Sequence, residues 1–402
     1  MKKNILFITG QFLPYTRSAG GILRVYSFLQ TLKKKHNVYL LTASGPYHGY
    51  LGFPKKTLKE IKIIYLKKKI KKINEYSKNS LFSLLNYYYI FRNLLNLFGI
   101  DYSFFLINEY YANTVKIIDS QRINYIVISG PPFSLFFLIK KIKSRYTSIK
   151  IIIDYRDGWT GRINSKLLYL AKKFSRNIIE RKIIKFSDFI IVATNSIKKN
   201  LSSITNKKII ILTNGFLNIS KRIKQNKSKK ILIGYFGLIS DRSNSYRDIS
   251  ILHNILKKNI FLQQKYLFYF YGKNIILDSN IKNFPCFKFK NYIPYNKVLE
   301  NMSQMDYLLI LHTEKNTSEE VITGKLYDYI AARKPVIFIS AGETEGGSII
   351  KKYHLGYSVN YLIYDLFSFF HNLKKNHTFK LNKNISIFSR KFQNKKFLQI
   401  IK

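Results

Sequence analysis

The chain has 402 residues, and its 69 Lys and Arg against 21 Asp and Glu give a formal net charge of +48. Hydrophobic residues make up 46% of it, which excludes an intrinsically disordered chain because such chains have too few apolar side chains to form a core. The length predicts two or three domains. The single Cys excludes a disulfide framework or a thiolate metal cluster and favours a reducing compartment.

No secretory signal or membrane-spanning helix is expected. The chain starts with Met1, Lys2 and Lys3 and enters a short apolar run that ends at Gly10 without a small-residue cleavage site, so this run is predicted to be a strand. The longest uncharged stretch of the aromatic region, at 79–91, is shorter than the ~20 apolar residues that a spanning helix needs.

Short apolar runs alternate with segments of helical periodicity along the whole chain. The first predicted helix follows Gly20 and Gly21, where apolar residues recur three and four positions apart from Ile22 to Leu32. The predicted strands lie at 5–9, 38–42, 125–129, 149–153, 189–193, 209–212, 231–237, 266–271, 287–290, 307–311 and 336–339. Strands that alternate with helices predict parallel sheets covered on both faces.

A charged stretch at 220–230 has almost no apolar residues to bury and precedes a new strand, so we predict a linker there. It separates an N-terminal Rossmann-like domain, 1–219, from a C-terminal one, 231–375, and the tail or helix at 376–402 is expected to return to the N-terminal domain. The predicted fold class is α/β, with two Rossmann-like domains whose parallel sheets face each other across a cleft. That cleft is the default ligand site.

A basic and then aromatic block occupies 55–98. Lys occurs at almost every second or third position of 55–78, and 81–91 is apolar and aromatic. This combination suits a membrane interface, but a solvated face followed by a core helix has the same pattern. The net charge also has two explanations. A codon bias toward Lys explains part of it, and the rest favours an anionic partner, either nucleic acid or an acidic membrane leaflet.

Several familiar signatures are missing from the sequence. No Gly-x-Gly-x-x-Gly follows a predicted strand, and the segment 323–325 lacks the upstream Gly of a P-loop. Asp-x-Asp, His-x-x-x-His and Gly-x-Ser-x-Gly are also absent. These absences weigh against dehydrogenases, P-loop ATPases, metal-dependent hydrolases and α/β-hydrolases.

Polar residues follow one strand of the first half, at the position where open α/β sheets bind their ligands. After 149–153 come Asp154, Arg156, Asp157 and Trp159. A structural ion-pair cluster has these residue types. A site for a hydroxyl-bearing substrate has them too, since carboxylates accept from hydroxyls and Trp offers a stacking face.

Two strands of the second half end in candidate phosphate-binding residues. After 231–236, Gly237 permits a close backbone approach, and Arg242 and Arg247 offer planar forks for phosphate oxygens. Gly272 and Lys273 follow the strand at 266–271. Phosphate binding and an ordinary surface loop both fit this pattern.

The most informative stretch runs from 319 to 338. It predicts a polar loop with Glu319 and Glu320, a short helix from about Gly324 to Arg333, and then a buried strand. Asp328 lies inside the helix, so the helix N-terminus is flanked by two carboxylates. Its free backbone N–H groups favour a diphosphate, while the carboxylates suit the hydroxyls of a sugar and a ribose.

The ordered set of motifs resembles the family 4 glycosyltransferases over nearly the whole chain. The motifs lie at 20–21, 129–134, 154–160, 213–216, 234–237 and 325–332. The resemblance implies a retaining enzyme with two Rossmann domains, the GT-B fold, and a nucleotide-sugar donor. The N-terminal domain would then serve the acceptor and the C-terminal domain the donor.

The resemblance also implies roles for individual residues. In that family two Glu separated by seven residues mark the donor site, and Glu320 and Asp328 have this separation, with Asp one methylene shorter. Family members often carry a His where Arg156 and Asp157 stand. The implied catalytic residues are Glu320, Asp157 and Arg156. The implied donor-binding residues are Gly237, Arg242, Gly272, Lys273, Lys325 and Asp328. The implied acceptor-side residues are Gly20, Gly21, Asp154 and Trp159.

The implied reaction needs no metal and no cofactor, with the nucleoside-diphosphate sugar as co-substrate. A basic pair, Arg242 with Lys325 or with Arg247 or Lys273, would neutralise the leaving diphosphate. The expected acceptor is a lipid-linked glycan of surface polysaccharide or lipopolysaccharide synthesis, at the inner face of the cytoplasmic membrane. A sugar-nucleotide epimerase or inverting transferase on the same fold is one alternative. A basic nucleic-acid-binding protein is the other, although no nucleic acid partner is expected because no recognised binding motif is visible.

Overall fold

A computed structural model describes residues 1–16, 21–45, 61–69, 95, 100–159, 166–220, 228–241, 247–272, 277–313, 322–375 and 383–401. The chain divides into two compact units. The first comprises Met1–Thr213 and Asn394–Lys402, and the second comprises Asn214–Gln393. The predicted linker at 220–230 falls inside the second unit, and its residues 221–227 lie outside the described ones.

The first unit contains a seven-stranded parallel sheet in the order β3-β2-β1-β4-β5-β6-β7. Its strands are β1 (Asn4–Thr9), β2 (Asn37–Ser44), β3 (Lys62–Lys69), β4 (Tyr125–Gly130), β5 (Lys150–Tyr155), β6 (Phe189–Val192) and β7 (Ile209–Ile211). Its helices are α1 (Leu23–Leu32), α2 (Ile107–Gln121), α3 (Leu138–Arg145), α4 (Lys166–Ile184) and α5 (Asn195–Ser202). Short 3₁₀ helices, Tyr102–Leu106 and Phe133–Phe137, precede α2 and α3.

The edge strand β3 lies within the basic block and was not predicted. Only four apolar residues, at 63–66, lie between its lysines, and it pairs with β2. Leu66 is buried, and the Tyr65 hydroxyl donates to the Leu13 carbonyl at 2.6 Å. Lysines are common on edge strands, where they discourage pairing with a second sheet. Most of the rest of 55–98 lies outside the described residues.

The second unit contains a six-stranded parallel sheet in the order β10-β9-β8-β11-β12-β13. Its strands are β8 (Ile231–Phe236), β9 (Tyr266–Tyr271), β10 (Phe287–Lys290), β11 (Tyr307–His312), β12 (Val336–Ser340) and β13 (Gly356–Asn360). Its helices are α6 (Ser250–Lys257), α7 (Ile260–Lys265), α8 (Ser279–Lys282), α9 (Tyr295–Ser303), α10 (Gly324–Ala332), α11 (Glu345–Lys352) and α12 (Ile363–Asn372). A last helix, α13 (Arg390–Leu398), begins in this unit and ends in the first.

Strand β11 shows why this sheet is buried on both faces. Leu309 and Leu311 point into one hydrophobic cluster, whereas Leu308 and Ile310 point into another on the opposite face. Side chains alternate across a strand, so a continuous apolar run fills both clusters at once. The sheet therefore presents its polar groups at the strand ends, where loops follow.

The end of the chain belongs to the core of the first unit. Phe397 stacks on Phe28 of α1 with ring centroids 4.3 Å apart, and the Asn394 amide donates to the Ser27 carbonyl at 2.9 Å. The Asn394 amide also donates to the Thr31 hydroxyl at 2.7 Å. None of the described helices is long and apolar enough to cross a membrane.

Candidate functional site

The strand order of the second unit marks a position for a ligand. Successive strands run outward on opposite sides of β8, so the order reverses between β8 and β11. In open α/β sheets, ligands bind beyond the carboxyl ends of the strands at such a switch point. Gly237 is the first residue after β8, and it stands at this point.

Gly237 has a backbone that other residues rarely adopt. Its φ is +130°, and its N–H donates to the carbonyl of Tyr271 at 2.7 Å. A Cβ atom added at Gly272 would lie 2.4 Å from the Gly237 carbonyl oxygen. The two glycines after β8 and β9 are therefore in backbone contact, and a side chain at Gly272 would prevent this close approach.

Lys325 of α10 completes this cluster. A Cβ atom added at Gly237 would lie 2.6 Å from Lys325 Cε and 2.8 Å from its Nζ. The ammonium group also lies 3.8 Å from the ring centroid of Tyr235, which is a cation–π distance. The structure thus brings together three of the predicted donor-binding residues, Gly237, Gly272 and Lys325. Tyr235 was not predicted, because a Tyr within an apolar strand reads as a core residue.

The electrostatics at Lys325 favour an anionic ligand. Burial lowers the pKa of Lys325 well below its usual range, and the nearby guanidinium of Arg247 lowers it further. A charged ammonium is costly there because water is partly excluded and the neighbouring charge is positive. A bound anion would offset both effects and restore the protonated form.

Helix α10 is held against the end of β8. The Phe236 backbone N–H donates to the Tyr329 hydroxyl at 3.0 Å, within a buried contact between strand and helix. At the helix N-terminus, the side chain of Thr323 does not cap the first turn. The backbone N–H groups of the first turn carry the positive end of the helix dipole, and Lys325 is the second residue of that turn.

Asp328, one turn along α10, lies in a separate polar network. Its Oδ1 accepts a hydrogen bond from the Tyr295 hydroxyl at 3.1 Å. Burial raises the pKa of Asp328 to about 6, although the Tyr295 hydrogen bond and the charge of Arg390 oppose the shift. Arg390 in turn donates to Asn214 Oδ1 at 3.4 Å. Tyr295 and Arg390 escaped the sequence analysis because both are distant from Asp328 along the chain.

The segment that carries Arg247 is fixed by a buried carboxylate. Asp248 is 1% exposed, and its oxygens accept from the Ser250 N–H, the Ser250 hydroxyl and the Tyr361 hydroxyl, each at 2.8 Å. The Asp248 N–H donates to the Thr313 hydroxyl at 3.3 Å. This residue joins the start of α6 to the ends of β11 and β13. No motif in the sequence marked it.

In the first unit, Asp154 forms a buried ion pair. Its carboxylate lies 2.9 Å from Arg24 Nη2, with the two side chains 0% and 1% exposed, and it also accepts from the Ser129 hydroxyl at 2.7 Å. Arg24 donates further to the carbonyl of Leu212 at 2.5 Å. The expectation that Asp154 contacts an acceptor is corrected here, because its oxygens are buried and paired with Arg24 of α1 and Ser129 of β4.

Trp159 is a core residue and presents no stacking face. It is 3% exposed and stacks on Phe133 with ring centroids 5.4 Å apart and planes 14° apart. Phe136 and Phe137 meet it edge-on. The predicted sugar contact for Trp159 is therefore also corrected, because aromatic rings cover the indole.

Arg156 links loops at the carboxyl ends of three strands. Its guanidinium donates to the carbonyls of Gly21 and Pro131, and its backbone N–H donates to the Gly130 carbonyl at 2.9 Å. Burial lowers the pKa of Arg156, whereas the carboxylates of Asp157 and Asp154 oppose that shift. Gly21 and Asp157 are both exposed. The geometry makes Arg156 a support for the backbone at Gly21, and Asp157 is exposed beside it.

Four of the predicted site residues lie outside the described residues: Glu320, Arg242, Lys273 and Gly20. The adjacent Glu319 does so as well. Their roles therefore stay predictions. Within the described ranges, no group of three or more His, Cys, Asp or Glu side chains is arranged to hold a metal ion.

Comparison with known proteins identifies the fold. No family profile matches the chain, and no curated protein matches it in sequence. Among solved structures, a sucrose-phosphate synthase from Thermosynechococcus elongatus has a TM-score of 0.69 at 11% identity, over 100% of this chain and 98% of that one. A trehalose-6-phosphate synthase has a TM-score of 0.67 at 11% identity, over 99% of each chain. A UDP-GlcNAc 2-epimerase from Methanocaldococcus jannaschii has a TM-score of 0.53 at 12% identity, over 100% of this chain and 99% of that one. The chain has the GT-B fold of these proteins.

Proposed function

We propose that the protein is a retaining glycosyltransferase that transfers a sugar from a nucleoside-diphosphate sugar to a glycan acceptor. The observation that carries the proposal is the meeting of Gly237, Gly272 and Lys325 at the switch point of the second sheet. Bare backbone and a desolvated ammonium beside a second cation suit a diphosphate. The structural likeness to sucrose-phosphate and trehalose-6-phosphate synthases supports the same class of reaction.

In the proposed reaction, the bond between the anomeric carbon and the diphosphate oxygen breaks, and the acceptor hydroxyl oxygen forms the new bond on the same face of the sugar. The proton of that hydroxyl passes to the departing diphosphate oxygen. The electron pair of the broken bond stays on the diphosphate, which takes up negative charge. Lys325 and the α10 N-terminus would stabilise that charge, and no metal is required in this proposal. Hydrogen-bond donors aimed at developing charge typically lower the activation barrier by about 3 kcal/mol each.

The remaining donor contacts are assigned by the resemblance. Glu320 would lie near the donor sugar and Asp328 on the ribose. The pKa of about 6 at Asp328 means that the carboxylate form predominates near neutral pH, and it can then accept from ribose hydroxyls. Arg156 and Asp157 would contribute on the acceptor side, where Arg156 supports the carbonyl of Gly21.

We further propose that the acceptor is lipid-linked and that the protein acts in surface polysaccharide or lipopolysaccharide synthesis at the inner face of the cytoplasmic membrane. The basis is the basic and aromatic block at 55–98, together with the net charge of +48. A charged and aromatic segment of this kind suits the headgroup region of an anionic leaflet.

An epimerase is the second candidate, because UDP-GlcNAc 2-epimerases are among the structural neighbours. The same diphosphate site would serve it. The products separate the two reactions: an epimerase yields a free or epimerised sugar without an acceptor, whereas a transferase consumes donor only when an acceptor is present.

Thermal unfolding against UDP, GDP, ADP, CMP and a short oligonucleotide tests the donor site. A ligand at 100 times its dissociation constant adds about 2.7 kcal/mol to the folded state, so one nucleoside diphosphate should raise the melting temperature clearly. Lys325→Met, which keeps the aliphatic stem over Tyr235, should abolish that rise. Lys297→Met, on the exposed side of α9, is the matched control and should keep it. Stabilisation by the oligonucleotide alone would refute the proposal.

Glu320→Gln tests the catalytic assignment. The variant should lose activity by orders of magnitude while nucleoside-diphosphate binding and the melting temperature stay close to those of the natural sequence. Unchanged turnover of a donor that the unmodified protein uses would remove Glu320 from the reaction. Parallel measurement of Glu319→Gln identifies which of the two neighbouring carboxylates matters.

A further inference from the structure

Helix α12 is apolar on two faces, and one of them is exposed in the described part of the chain. Leu366 and Phe370 point into the core of the second unit, at 0% and 1% exposure. On the other face Ile363, Tyr364 and Phe367 are 65%, 80% and 38% exposed. A helix that buries one stripe normally carries polar residues opposite to it. The second apolar face therefore needs an explanation.

The exposed face continues onto helix α7. His371, one turn after Phe367, has its ring centroid 6.0 Å from that of Phe367 and 5.7 Å from that of Phe261. Phe261 and its neighbour Ile260 are 52% and 68% exposed. We call Ile260, Phe261, Ile363, Tyr364 and Phe367 the apolar stripe. Large side chains scattered singly over a surface are ordinary, but a contiguous set of this kind marks an interaction site.

Cations border the apolar stripe. Lys257 is exposed at the end of α6 and Lys258 in the turn between α6 and α7, and Lys374 is exposed just beyond α12. Lys265 lies between the helices. Its Nζ donates to the carbonyls of Phe370 and His371, at 3.2 and 2.7 Å, and stands 5.6 Å from the Phe261 ring centroid. Apolar side chains with Lys at their edge match the layered chemistry of a membrane surface, acyl chains below anionic headgroups.

We infer that the apolar stripe docks the second unit onto an anionic lipid surface. A second copy of the chain fits less well, because a two-fold contact would bring the lysine border against itself. Five side chains are also far fewer than the roughly 20–30 residues a side of a standard protein interface. The inference depends on the proposed function only for its biological use, since lipid binding needs neither donor nor acceptor.

Vesicle binding tests the inference with the full chain. The triple variant Phe261→Ser, Ile363→Ser and Tyr364→Ser removes apolar groups that are more than half exposed, so the fold should be retained. The matched control is Phe174→Ser with Ile178→Ser, two side chains 71% and 45% exposed on α4 of the first unit. Cosedimentation would use vesicles of phosphatidylcholine with one-third phosphatidylglycerol, and vesicles of phosphatidylcholine alone.

Measurements at high salt distinguish vesicle binding by the apolar stripe from binding by general electrostatic attraction. At about 0.5 M salt the Debye length is about 4 Å, so attraction between exposed charges is largely screened. We expect the triple variant to partition at least tenfold more weakly than the unmodified protein at both low and high salt, with the control unchanged. Lys257→Glu with Lys258→Glu should weaken binding to the anionic vesicles by about tenfold or more at low salt and much less at high salt.

Two results would overturn the inference. One is a triple variant that binds anionic vesicles as tightly as the unmodified protein. The other is a concentration-dependent dimer in sedimentation velocity that the triple variant abolishes, which would give the apolar stripe to a second copy. Nucleoside-diphosphate stabilisation, measured on the same variants, should stay unaltered throughout. Its absence from all of them would refute the donor site and leave the lipid result standing.

Discussion

At the scale of single residues, Gly237 controls the geometry of the donor site. Gly237→Ala would strain the backbone at φ +130° and push a methyl group into Lys325, 2.6 Å from its Cε. Strain of this kind costs about 1–3 kcal/mol. We therefore expect a loss of stability of that size in urea unfolding, and at least tenfold weaker nucleoside-diphosphate binding by calorimetry.

The matched control is Gly324→Ala, at the start of α10. A Cβ atom there meets nothing within 4 Å, and alanine favours a helix over glycine by about 1 kcal/mol. This variant should be as stable as the unmodified protein or slightly more so, with donor binding retained. Equal behaviour of the two alanine variants would contradict the close approach of Lys325 to Gly237.

Asp328 should make stability depend on pH. Its folded pKa of about 6 lies above the ordinary value of 3.8, so the folded state binds the proton more tightly than the unfolded chain does. The stabilising contribution is complete below the ordinary pKa and is lost as the pH rises through about 6. The Asp328→Asn variant should not show this loss of stability, because an asparagine side chain does not titrate. Relative to the unmodified protein, the variant should gain on the order of 1–3 kcal/mol between about pH 4 and about pH 8.

Tyr295→Phe provides an independent check on that titration. The Tyr295 hydroxyl donates to Asp328 and opposes the rise of its pKa. Removal of the hydroxyl should move the pH-dependent loss of stability to higher pH in urea unfolding. A stability difference between Asp328→Asn and the unmodified protein that is flat over the same pH range would show that Asp328 does not titrate there.

The sequence predicted where candidate residues lie in the fold better than it predicted whether they are exposed. Lys325 was named through the family resemblance, whereas Gly237 and Gly272 were named from strand ends, a feature that depends on local sequence alone. Asp154 and Trp159 were named by the same logic, yet they are buried by Arg24 and Phe133, which lie far away in the chain. A polar residue at a strand end is thus a fair guide to position, while its exposure depends on non-local packing.

At the scale of elements, most of the described strands were predicted, including the edge strands β7 and β10, whereas the edge strands β3 and β13 were not. Strands such as β5 and β11 are continuous apolar runs because helices cover both of their faces. Edge strands have less to bury, so β3 carries Lys and β13 mixes Gly, Ser and Asn. The prediction relied on short apolar runs: β13 has none, and the run of β3 is only four residues long between lysines. The pairing order, which creates the switch point beside Gly237, also lies outside what a single sequence contains.

The returning C-terminal segment should stabilise the first unit. Phe397 is 1% exposed and packs on Phe28 and Phe7. Phe397→Ala leaves a cavity in that core, and such changes typically cost about 3–5 kcal/mol. We expect a loss of this size in urea unfolding. Phe392→Ala, at a ring 36% exposed on the same helix, is the control and should cost much less. Equal losses would mean that the stacking on α1 is unimportant.

At the scale of the whole molecule, the net charge of +48 attracts any anion, whereas the donor site should bind only a few of them. An oligonucleotide held only by scattered lysines releases counterions in proportion to its phosphate contacts, so its affinity falls steeply with salt. A nucleoside diphosphate at Gly237 and Lys325 makes few ionic contacts, and those are partly shielded from solvent. Between about 50 and 200 mM salt, oligonucleotide affinity should therefore fall by about 10³-fold or more, and diphosphate affinity by far less.

Fluorescence anisotropy of a labelled oligonucleotide, with calorimetry of the diphosphate in the same buffers, measures both slopes. Lys325→Met should remove diphosphate binding and leave the oligonucleotide slope almost unaltered, because one lysine of many is lost. Tight oligonucleotide binding that persists at about 200 mM salt and that a nucleoside diphosphate displaces would contradict this separation. The cluster around Lys325 would then be part of a nucleic-acid-binding surface. The positive charge would in that case serve nucleic-acid binding as the function of the protein.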